Sequence, residues 1–180
     1  DYYAWGETEP KDECTYENSS TCYKQMNDIS GNPKYDVARK KWGGKWRMPT
    51  YDEMKELIEK CSWEWIEQNG TNGYKVTGPN GNSIFLPASG CRYYDEVEVR
   101  YLGEGGAYWS STLNEEDSDC ANCFSFFPED DYLGYDRVSR YPGITIRPVC
   151  GEAKQQVVVK TGDATDVTDN GALVSGVIEG

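Results

Sequence analysis

Residues 42–50 read Trp-Gly-Gly-Lys-Trp-Arg-Met-Pro-Thr, and residues 51–61 continue as Tyr-Asp-Glu-Met-Lys-Glu-Leu-Ile-Glu-Lys-Cys. Thr50 and Glu53 have the Ser/Thr-x-x-Glu spacing of a capping box, in which each side chain accepts the other residue's backbone N–H. Apolar side chains then recur at helical spacing, at Met54, Leu57, Ile58 and Cys61. This stretch therefore predicts a helix that begins after Thr50 and buries one face.

The sequence before this stretch predicts a shorter helix and a long loop. Residues 35–42 place Val37, Ala38 and Trp42 on one side of a helix, and Gly43 is a typical stop. Residues 11–33 are polar and read as a loop. A loop of this length inside a compact domain is usually functional or mobile.

The sequence after the second helix is β-like. Trp63 and Trp65 alternate with a polar residue, which indicates the start of a strand. Asn80-Gly81 is a strong hairpin signal between two β-like runs. Together the predicted strands cover residues 74–77, 83–87, 107–111, 123–127 and 144–148. Two helices followed by hairpins and long loops predict an α+β domain with small antiparallel sheets over residues 1–150.

The composition excludes several classes of function. The 180 residues have a net charge of −13, from 31 acidic and 18 basic side chains. Because such a surface repels phosphate backbones, we expect no nucleic-acid partner. Histidine is absent, which excludes histidine-based triads and Cys/His zinc sites. No apolar run has membrane length, so we expect no membrane insertion by this segment, and the oligomeric state is left open.

Four motifs occur in a fixed order along the domain. They are Trp42 to Thr50, Gly73 to Ala88, Tyr-Trp-Ser-Ser-Thr at Tyr108 to Thr112, and Ile-Thr-Ile-Arg-Pro-Val at Ile144 to Val149. With Tyr-Tyr-Ala-Trp-Gly-Glu-Thr near the start, they resemble the Fibrobacter succinogenes major paralogous domain, abundant in surface and secreted proteins of the Bacteroidetes group. The resemblance implies a C-type-lectin-like fold, related to the formylglycine-generating enzymes, and an extracellular or bacterial cell-surface location. It also implies that the chain begins inside the domain, without its first strand.

The seven cysteines fit an oxidising compartment better than a zinc site. Cys14 and Cys22 are predicted to close part of the long loop. Cys120 and Cys123 form a lone C-x-x-C, for which the alternatives are a local disulfide or separate bonds to Cys91 and Cys150. The resemblance implies that the missing strand carries the partner of Cys61.

The composition changes after Cys150. Residues 155–160 and 172–178 are alternating or β-branched runs. They are similar to the opening strands of an immunoglobulin or fibronectin type III-like domain. We therefore expect residues 151–180 to be a linker followed by the first strands of a partial β-sandwich.

The candidate ligand surface lies within residues 113–141. Residues 114–119 form an acidic loop, and residues 128–141 are predicted to form a long excursion between strands. In C-type-lectin-like proteins the corresponding loops form the ligand face. Tyr, Asp and Arg provide contact area, hydrogen bonds and charge at modest entropic cost. The predicted contact residues are Asn114, Tyr132, Tyr135, Asp136, Arg137 and Tyr141.

The acidic loop also raises the question of calcium. Glu115, Asp117 and Asp119, beside Glu116, offer the carboxylate oxygens that Ca²⁺ prefers. Their spacing matches neither an EF-hand nor the Glu-Pro-Asn motif of sugar-binding C-type lectins. These residues are candidate calcium ligands, and a solvated acidic loop is the alternative.

Three tryptophans in the motifs are expected to be structural. Trp42, Trp46 and Trp109 would form a sugar-stacking platform if exposed, but their place beside framework residues predicts packing in the core. Arg140 and Arg147 match framework positions of the family and are expected to be structural as well.

The sequence therefore predicts a non-catalytic extracellular module that recognises a protein or glycan through residues 113–141. One alternative is a structural spacer of a cell-surface array without a ligand of its own, which a mobile, unpacked 113–141 surface would favour. The other is an oxidase similar to the formylglycine-generating enzymes, which needs Cys120 and Cys123 as converging reduced thiols. No segment of the chain matches the active site of those enzymes.

Overall fold

The computed structural model describes residues 1–22, 24–93, 98–153, 158–168 and 171–179, the last two ranges as backbone only. In chain order the helices and strands are α1 (Val37–Trp42), β1 (Trp46–Arg47), α2 (Tyr51–Lys60), β2 (Ser62–Gln68), β3 (Thr71–Thr77), β4 (Ser83–Pro87), β5 (Ser89–Cys91), β6 (Arg100–Leu102), β7 (Gly106–Leu113), β8 (Cys120–Phe127), β9 (Tyr132–Ser139), β10 (Val149–Cys150), β11 (Val158–Thr168) and β12 (Gly171–Glu179).

The strands form one larger sheet and three small ones. The larger sheet has the order β6-β5-β7-β8-β9, and only the β5–β7 pairing is parallel. A three-stranded sheet has the order β2-β3-β4, β1 pairs with β10, and β11 pairs with β12. The protein is thus α+β, as its sequence predicts.

The capping box of α2 is present. The Thr50 hydroxyl accepts the Glu53 N–H, and the Glu53 carboxylate accepts the Thr50 N–H. Arg47, which is 4 % exposed, donates two hydrogen bonds of 2.7 and 2.6 Å to the same carboxylate. Burial would raise the pKa of Glu53, but the bonds from Arg47 and Thr50 outweigh it and lower that pKa. The start of α2 is therefore fixed by charge as well as by its cap.

Two apolar clusters cover the two faces of the larger sheet. On one face, Trp5, Trp109 and Ile144 pack with α1 through Val37 and Ala38. On the other face, Tyr108, Phe124 and Phe126 of the sheet pack with Met54 of α2 and with the three-stranded sheet. Trp109 is fully buried, which confirms the expectation for this residue.

The expectation that Trp42 and Trp46 belong to the core is wrong. Trp42 is 57 % exposed and Trp46 is 40 % exposed. Trp42 is the last residue of α1, whose buried side chains are Val37 and Ala38. Arg140 is buried and donates to the backbone carbonyls of Cys22 and Lys24, whereas Arg147 is exposed.

Residues 128–141 are not the long excursion that the sequence predicts. A short 3₁₀ turn over Pro128–Asp130 leads into β9, which pairs with β8 in unbroken register from Phe127↔Tyr132 to Cys120↔Ser139. Asp136 and Arg137 are consecutive polar residues, so they interrupt the apolar alternation that indicates a strand in sequence. An edge strand tolerates such residues, because it pairs with another strand on one side only. The predicted surface therefore includes a β-hairpin.

The predicted strand over residues 144–148 is not formed as such. Ile144 and Thr145 make single bridges, to Tyr3 and Tyr108, and pairing resumes only at β10. Pro148 has no N–H to give to a ladder, so the pairing cannot continue through this residue.

Residues 158–168 and 171–179 are the antiparallel pair β11 and β12. The predicted β-like run over residues 155–160 lies partly outside the described residues, which resume at Val158. The run over residues 172–178 is a strand, as predicted.

The loop over residues 11–33 has no helix or strand among its described residues. Cys14 and Cys22 within it are buried. All seven cysteines are free thiols in this structure, so none of the predicted disulfides is seen.

Candidate functional site

A polar cleft of about 780 Å³ lies where the long loop, the start of α2 and the end of β7 meet. We call it the polar cleft, and its lining residues are Asp28, Ser30, Thr50, Tyr51, Asp52, Lys55, Thr112, Asn114, Glu115, Glu116, Asn122 and Ala153. Four carboxylates and one ammonium are among them. The charged groups of the lining are therefore mostly acidic.

One wall of the polar cleft is a chain of hydrogen bonds through Thr112. The Tyr51 N–H donates to the Thr112 hydroxyl (3.1 Å), and that hydroxyl donates to the Asp28 carboxylate (2.6 Å). The Ser111 hydroxyl and the Ser30 N–H donate to the same carboxylate, at 3.0 and 2.8 Å. Asp28 thus connects the long loop, β7 and the start of α2.

Another part of the lining is the acidic loop, which Asn114 holds in shape. The Asn114 amide oxygen accepts the N–H groups of Glu116 and Asp117, both at 3.1 Å. Its amide nitrogen donates to the Asn122 side chain at 2.9 Å, and Asn122 donates to the Leu113 carbonyl. A side chain bonded at both ends is preorganised, so Asn114 fixes where Glu115 and Glu116 lie.

An aromatic pair forms part of the rim. Tyr135 of β9 packs edge-to-face on Tyr51, with ring centroids 5.3 Å apart, and its hydroxyl donates to the Lys55 carbonyl at 3.4 Å. Lys55 Nζ lies 5.7 Å from the Tyr51 ring centroid. Burial raises the pKa of Tyr135. Tyr135 therefore lies beside the polar cleft, because it packs on Tyr51, which lines the cleft.

Arg137 reaches the same rim through an ion pair. Its Nη1 lies 3.6 Å from Glu116 Oε2, and both side chains are mostly exposed. Such a pair contributes little to stability, because solvent screens it. Arg137 and Glu116 can therefore separate at little cost and contact a ligand instead.

The other predicted contact residues lie elsewhere. Along β9, side chains alternate between faces, so Tyr132 and Asp136 lie on the face opposite to Tyr135 and Arg137. The Tyr132 hydroxyl donates to Asp136 (2.8 Å), Asp136 also accepts from Ser125, and burial together with Asp136 raises the pKa of Tyr132 to about 12. Tyr141 packs edge-to-face on Tyr16 at 5.9 Å. Asn114 and Glu115 thus line the polar cleft, and Tyr135 and Arg137 contact two of its lining residues, Tyr51 and Glu116. The side chains of the other three have their contacts elsewhere.

The candidate calcium ligands are not gathered at one point. The Asp117 carboxylate accepts the Asp119 N–H (3.1 Å) and the Cys120 thiol within its own turn, and these bonds lower the pKa of Asp117. Glu115 and Asp119 are exposed. In the described part of the chain, no group of three or more His, Cys, Asp or Glu side chains is arranged to hold a metal ion.

Cys120 and Cys123 are both on β8 and three residues apart, so their side chains leave the strand on opposite faces. Burial raises the pKa of both thiols, and Asp117 adds to the rise at Cys120. A raised pKa disfavours the thiolate, which is the reactive form.

Sequence reasoning missed Asp28, Tyr51 and Thr112. The available signal was the Ser-Ser-Thr run after Trp109, whose adjacent hydroxyls are unusual at the end of a buried strand. Ser110 donates to the Asn122 carbonyl, while Ser111 and Thr112 donate to Asp28. The run therefore indicated a polar junction, although not its partner.

No protein-family model matches this chain, and comparison with curated proteins and with solved structures gives no match either. Among the described residues, no helix is long and apolar enough to cross a membrane.

Proposed function

We propose that this protein is a non-catalytic binding module that recognises a protein or glycan through the polar cleft and its rim. The observation that carries the proposal is one cleft of about 780 Å³ that Asn114 and Glu115 line, and whose lining residues Tyr51 and Glu116 contact Tyr135 and Arg137. That volume lies in the range typical of ligand sites.

The chemistry of the polar cleft favours a hydrophilic ligand with hydroxyl or cationic groups. Its carboxylates are acceptors, and Lys55 and Arg137 are donors at the rim. Tyr51 and Tyr135 add rigid aromatic surface that keeps a hydrogen-bonding hydroxyl. Sugar hydroxyls, or lysine and arginine side chains of a partner protein, match this set.

The packing of the 113–141 segment supports binding over a spacer role. A spacer without a ligand would be compatible with a mobile, unpacked surface. Here β8 and β9 are paired along their full length, and Asn114 holds the acidic loop at both ends of its side chain. A rigid framework loses less conformational entropy when a ligand binds.

The arrangement of the thiols gives the oxidase alternative no support. That reaction requires Cys120 and Cys123 to converge as reactive thiols. Their opposite orientation on β8 and their raised pKa values point away from it.

The wider assignment rests on the sequence motifs. We propose a C-type-lectin-like domain over residues 1–150, an immunoglobulin-like start over residues 151–180, and an extracellular or bacterial cell-surface location. The α+β architecture and the β11–β12 pair are compatible with this assignment.

The test is a screen of the whole chain against glycan and surface-protein arrays, with calcium and with chelator. The cleft variant is Glu115→Gln with Glu116→Gln. Its matched control is Glu129→Gln with Asp130→Asn, which removes the same charge from the exposed β8–β9 turn. We expect the cleft variant to lose binding about tenfold or more and the control to retain it.

Equal loss in both variants would show that net charge, and not the polar cleft, attracts the ligand. No binding by folded protein would favour the spacer. Loss of binding with chelator would indicate that calcium takes part in binding, with Glu115, Asp117 and Asp119 as its candidate ligands.

A further inference from the structure

Two exposed tryptophans line one cleft outside the site described above. Trp42, Trp46, Arg147 and Pro148 enclose about 290 Å³, and we call this group the tryptophan platform. The indoles of Trp42 and Trp46 are 57 % and 40 % exposed, while Trp5 and Trp109 are fully buried. Large exposed aromatic side chains are costly in water, and clustered ones mark interaction sites.

The backbone holds the two indoles in a fixed relation. Trp42 ends α1 and Trp46 begins β1, and the connecting Gly43 and Gly44 both have positive φ, at 64° and 55°. The Trp46 N–H donates to the Gly43 carbonyl (3.1 Å), and Arg39 Nε donates to the Trp46 carbonyl (3.1 Å). Because Gly43 has ψ −159°, it occupies a region that is open essentially to glycine alone. The turn is therefore built to place Trp42 and Trp46 on one cleft.

The charge of the tryptophan platform is opposite to that of the protein as a whole. Its one charged lining residue is Arg147, and no carboxylate is among the four. Nearby cations are paired, since Lys45 contacts Glu152 (3.2 Å) and Arg47 contacts Glu53 (2.6 Å). Within the described part of the chain, no such salt bridge involves Arg147. Arg147 therefore gives this cleft a local positive charge, although the chain as a whole has a net charge of −13.

We propose that the tryptophan platform is a second binding site, for an acidic saccharide that contains uronic acid. A pyranose ring presents a flat face of C–H groups that packs on an indole, and its carboxylate is a bidentate partner for a guanidinium. A volume of about 290 Å³ accommodates a small ligand of one or two rings and is too small for a large apolar ligand. Trp42 and Trp46 contact the ring faces, and Arg147 binds the carboxylate. This site is independent of the polar cleft and of the function proposed for it.

The experiment is calorimetric titration of the whole chain with uronic-acid disaccharides of galacturonate, mannuronate and hyaluronan, which match the one or two rings that the cleft accommodates. The matched ligand control is the fully methyl-esterified galacturonate, which keeps the ring and loses the charge. We expect at least one of the acidic ligands to bind. The ester, and the Arg147→Ala variant with the acid, should each weaken binding about tenfold or more. Trp42→Ala and Trp46→Ala should weaken it by a similar factor.

Trp65→Ala is the matched protein control, because Trp65 is 36 % exposed on the three-stranded sheet. It should leave saccharide binding unchanged, and so should the Glu115→Gln, Glu116→Gln cleft variant. Retention in the cleft variant separates this proposal from the function of the polar cleft.

Three outcomes would overturn the proposal. The first is no binding of any of the three acidic disaccharides by folded protein. The second is equal binding of acid and ester, which removes Arg147 from recognition. The third is concentration-dependent self-association that Trp42→Ala abolishes, which would make a second copy of this chain the occupant.

Discussion

The polar cleft and the tryptophan platform are built in opposite ways. In the polar cleft, the polar atoms of Asp28, Thr112 and Asn114 form hydrogen bonds with neighbouring backbone groups or side chains. In the tryptophan platform, the indoles are largely exposed and the turn beneath them provides the fixed geometry. The first site is therefore inseparable from the stability of the fold, whereas the second has binding groups that the fold does not need. Substitutions should reveal this difference as a gradient of effects on stability.

The largest effect is expected at Arg47, which anchors the start of α2, where Thr50, Tyr51 and Asp52 line the polar cleft. Arg47→Met leaves the Glu53 carboxylate without the guanidinium that donates to both of its oxygens. Loss of one member of a buried ion pair costs about 3–5 kcal/mol. Urea unfolding monitored by circular dichroism measures the change. A cost below about 1 kcal/mol would mean that water replaces Arg47, and that α2 does not depend on it.

The same pair gives a pH dependence with a definite sign. Because the folded pKa of Glu53 lies below its ordinary value of 4.5, its contribution is present above that value and is lost as the pH falls through the folded pKa. In Arg47→Met this contribution should be smaller, so the variant should lose less stability between neutral pH and acid than the wild type does.

The second effect is expected beneath the tryptophan platform, at Gly43. A Cβ at this position meets no atom within 4 Å, so any cost of Gly43→Ala comes from the backbone. With φ 64° and ψ −159° the expected cost is about 1–3 kcal/mol. Thermal unfolding checks it, and an unchanged midpoint would show that the turn of the variant relaxes into another conformation and shifts the two indoles. In that event, the saccharide affinity should fall even though stability does not.

These two regions also show what the sequence predicts and what it does not. The capping box of Thr50 and Glu53 is local, and the helix it predicts is present. The predicted hairpin around Asn80-Gly81 is present for the same reason. Strand β9 was missed because its pairing partner, and not its composition, makes it a strand.

The candidate site was only partly predictable. Asn114, Glu115, Tyr135 and Arg137 were predicted by residue type; the first two line the polar cleft, and the other two contact lining residues. Asp28 was missed, since it joins the site through hydrogen bonds to residues more than 80 positions away. The exposure of Trp42 and Trp46 was also missed. The sequence shows that both residues are large and apolar, but tertiary packing alone decides whether such a side chain is buried.

The third effect is expected at Asp28. Asp28→Ala removes the acceptor of the Ser111 and Thr112 hydroxyls and of the Ser30 N–H. The residue is exposed, so water can replace part of what is lost, and we expect a cost of about 1–2 kcal/mol. Asp119→Ala is the control for loss of an exposed carboxylate and should change stability by less than about 0.5 kcal/mol. Equal effects of the two substitutions would mean that the hydrogen-bond chain does not hold the wall of the polar cleft.

The smallest effect is expected at Trp42, and it is the sharpest test of the contrast between the sites. Trp42 is 57 % exposed, and the buried side chains of its helix are Val37 and Ala38, so Trp42→Ala should change the free energy of unfolding by no more than about 0.5 kcal/mol. Trp109→Ala, at a fully buried indole that donates to the Tyr3 carbonyl (2.8 Å), should cost about 3–5 kcal/mol. Urea unfolding of both variants, monitored by circular dichroism so that the loss of an indole does not change the signal of unfolding, measures the difference. If Trp42→Ala is as destabilising as Trp109→Ala, the indole is part of the fold and the two sites are built alike. If it is neutral, the glycine turn holds a large aromatic side chain in water without any gain in stability, as a role in binding requires.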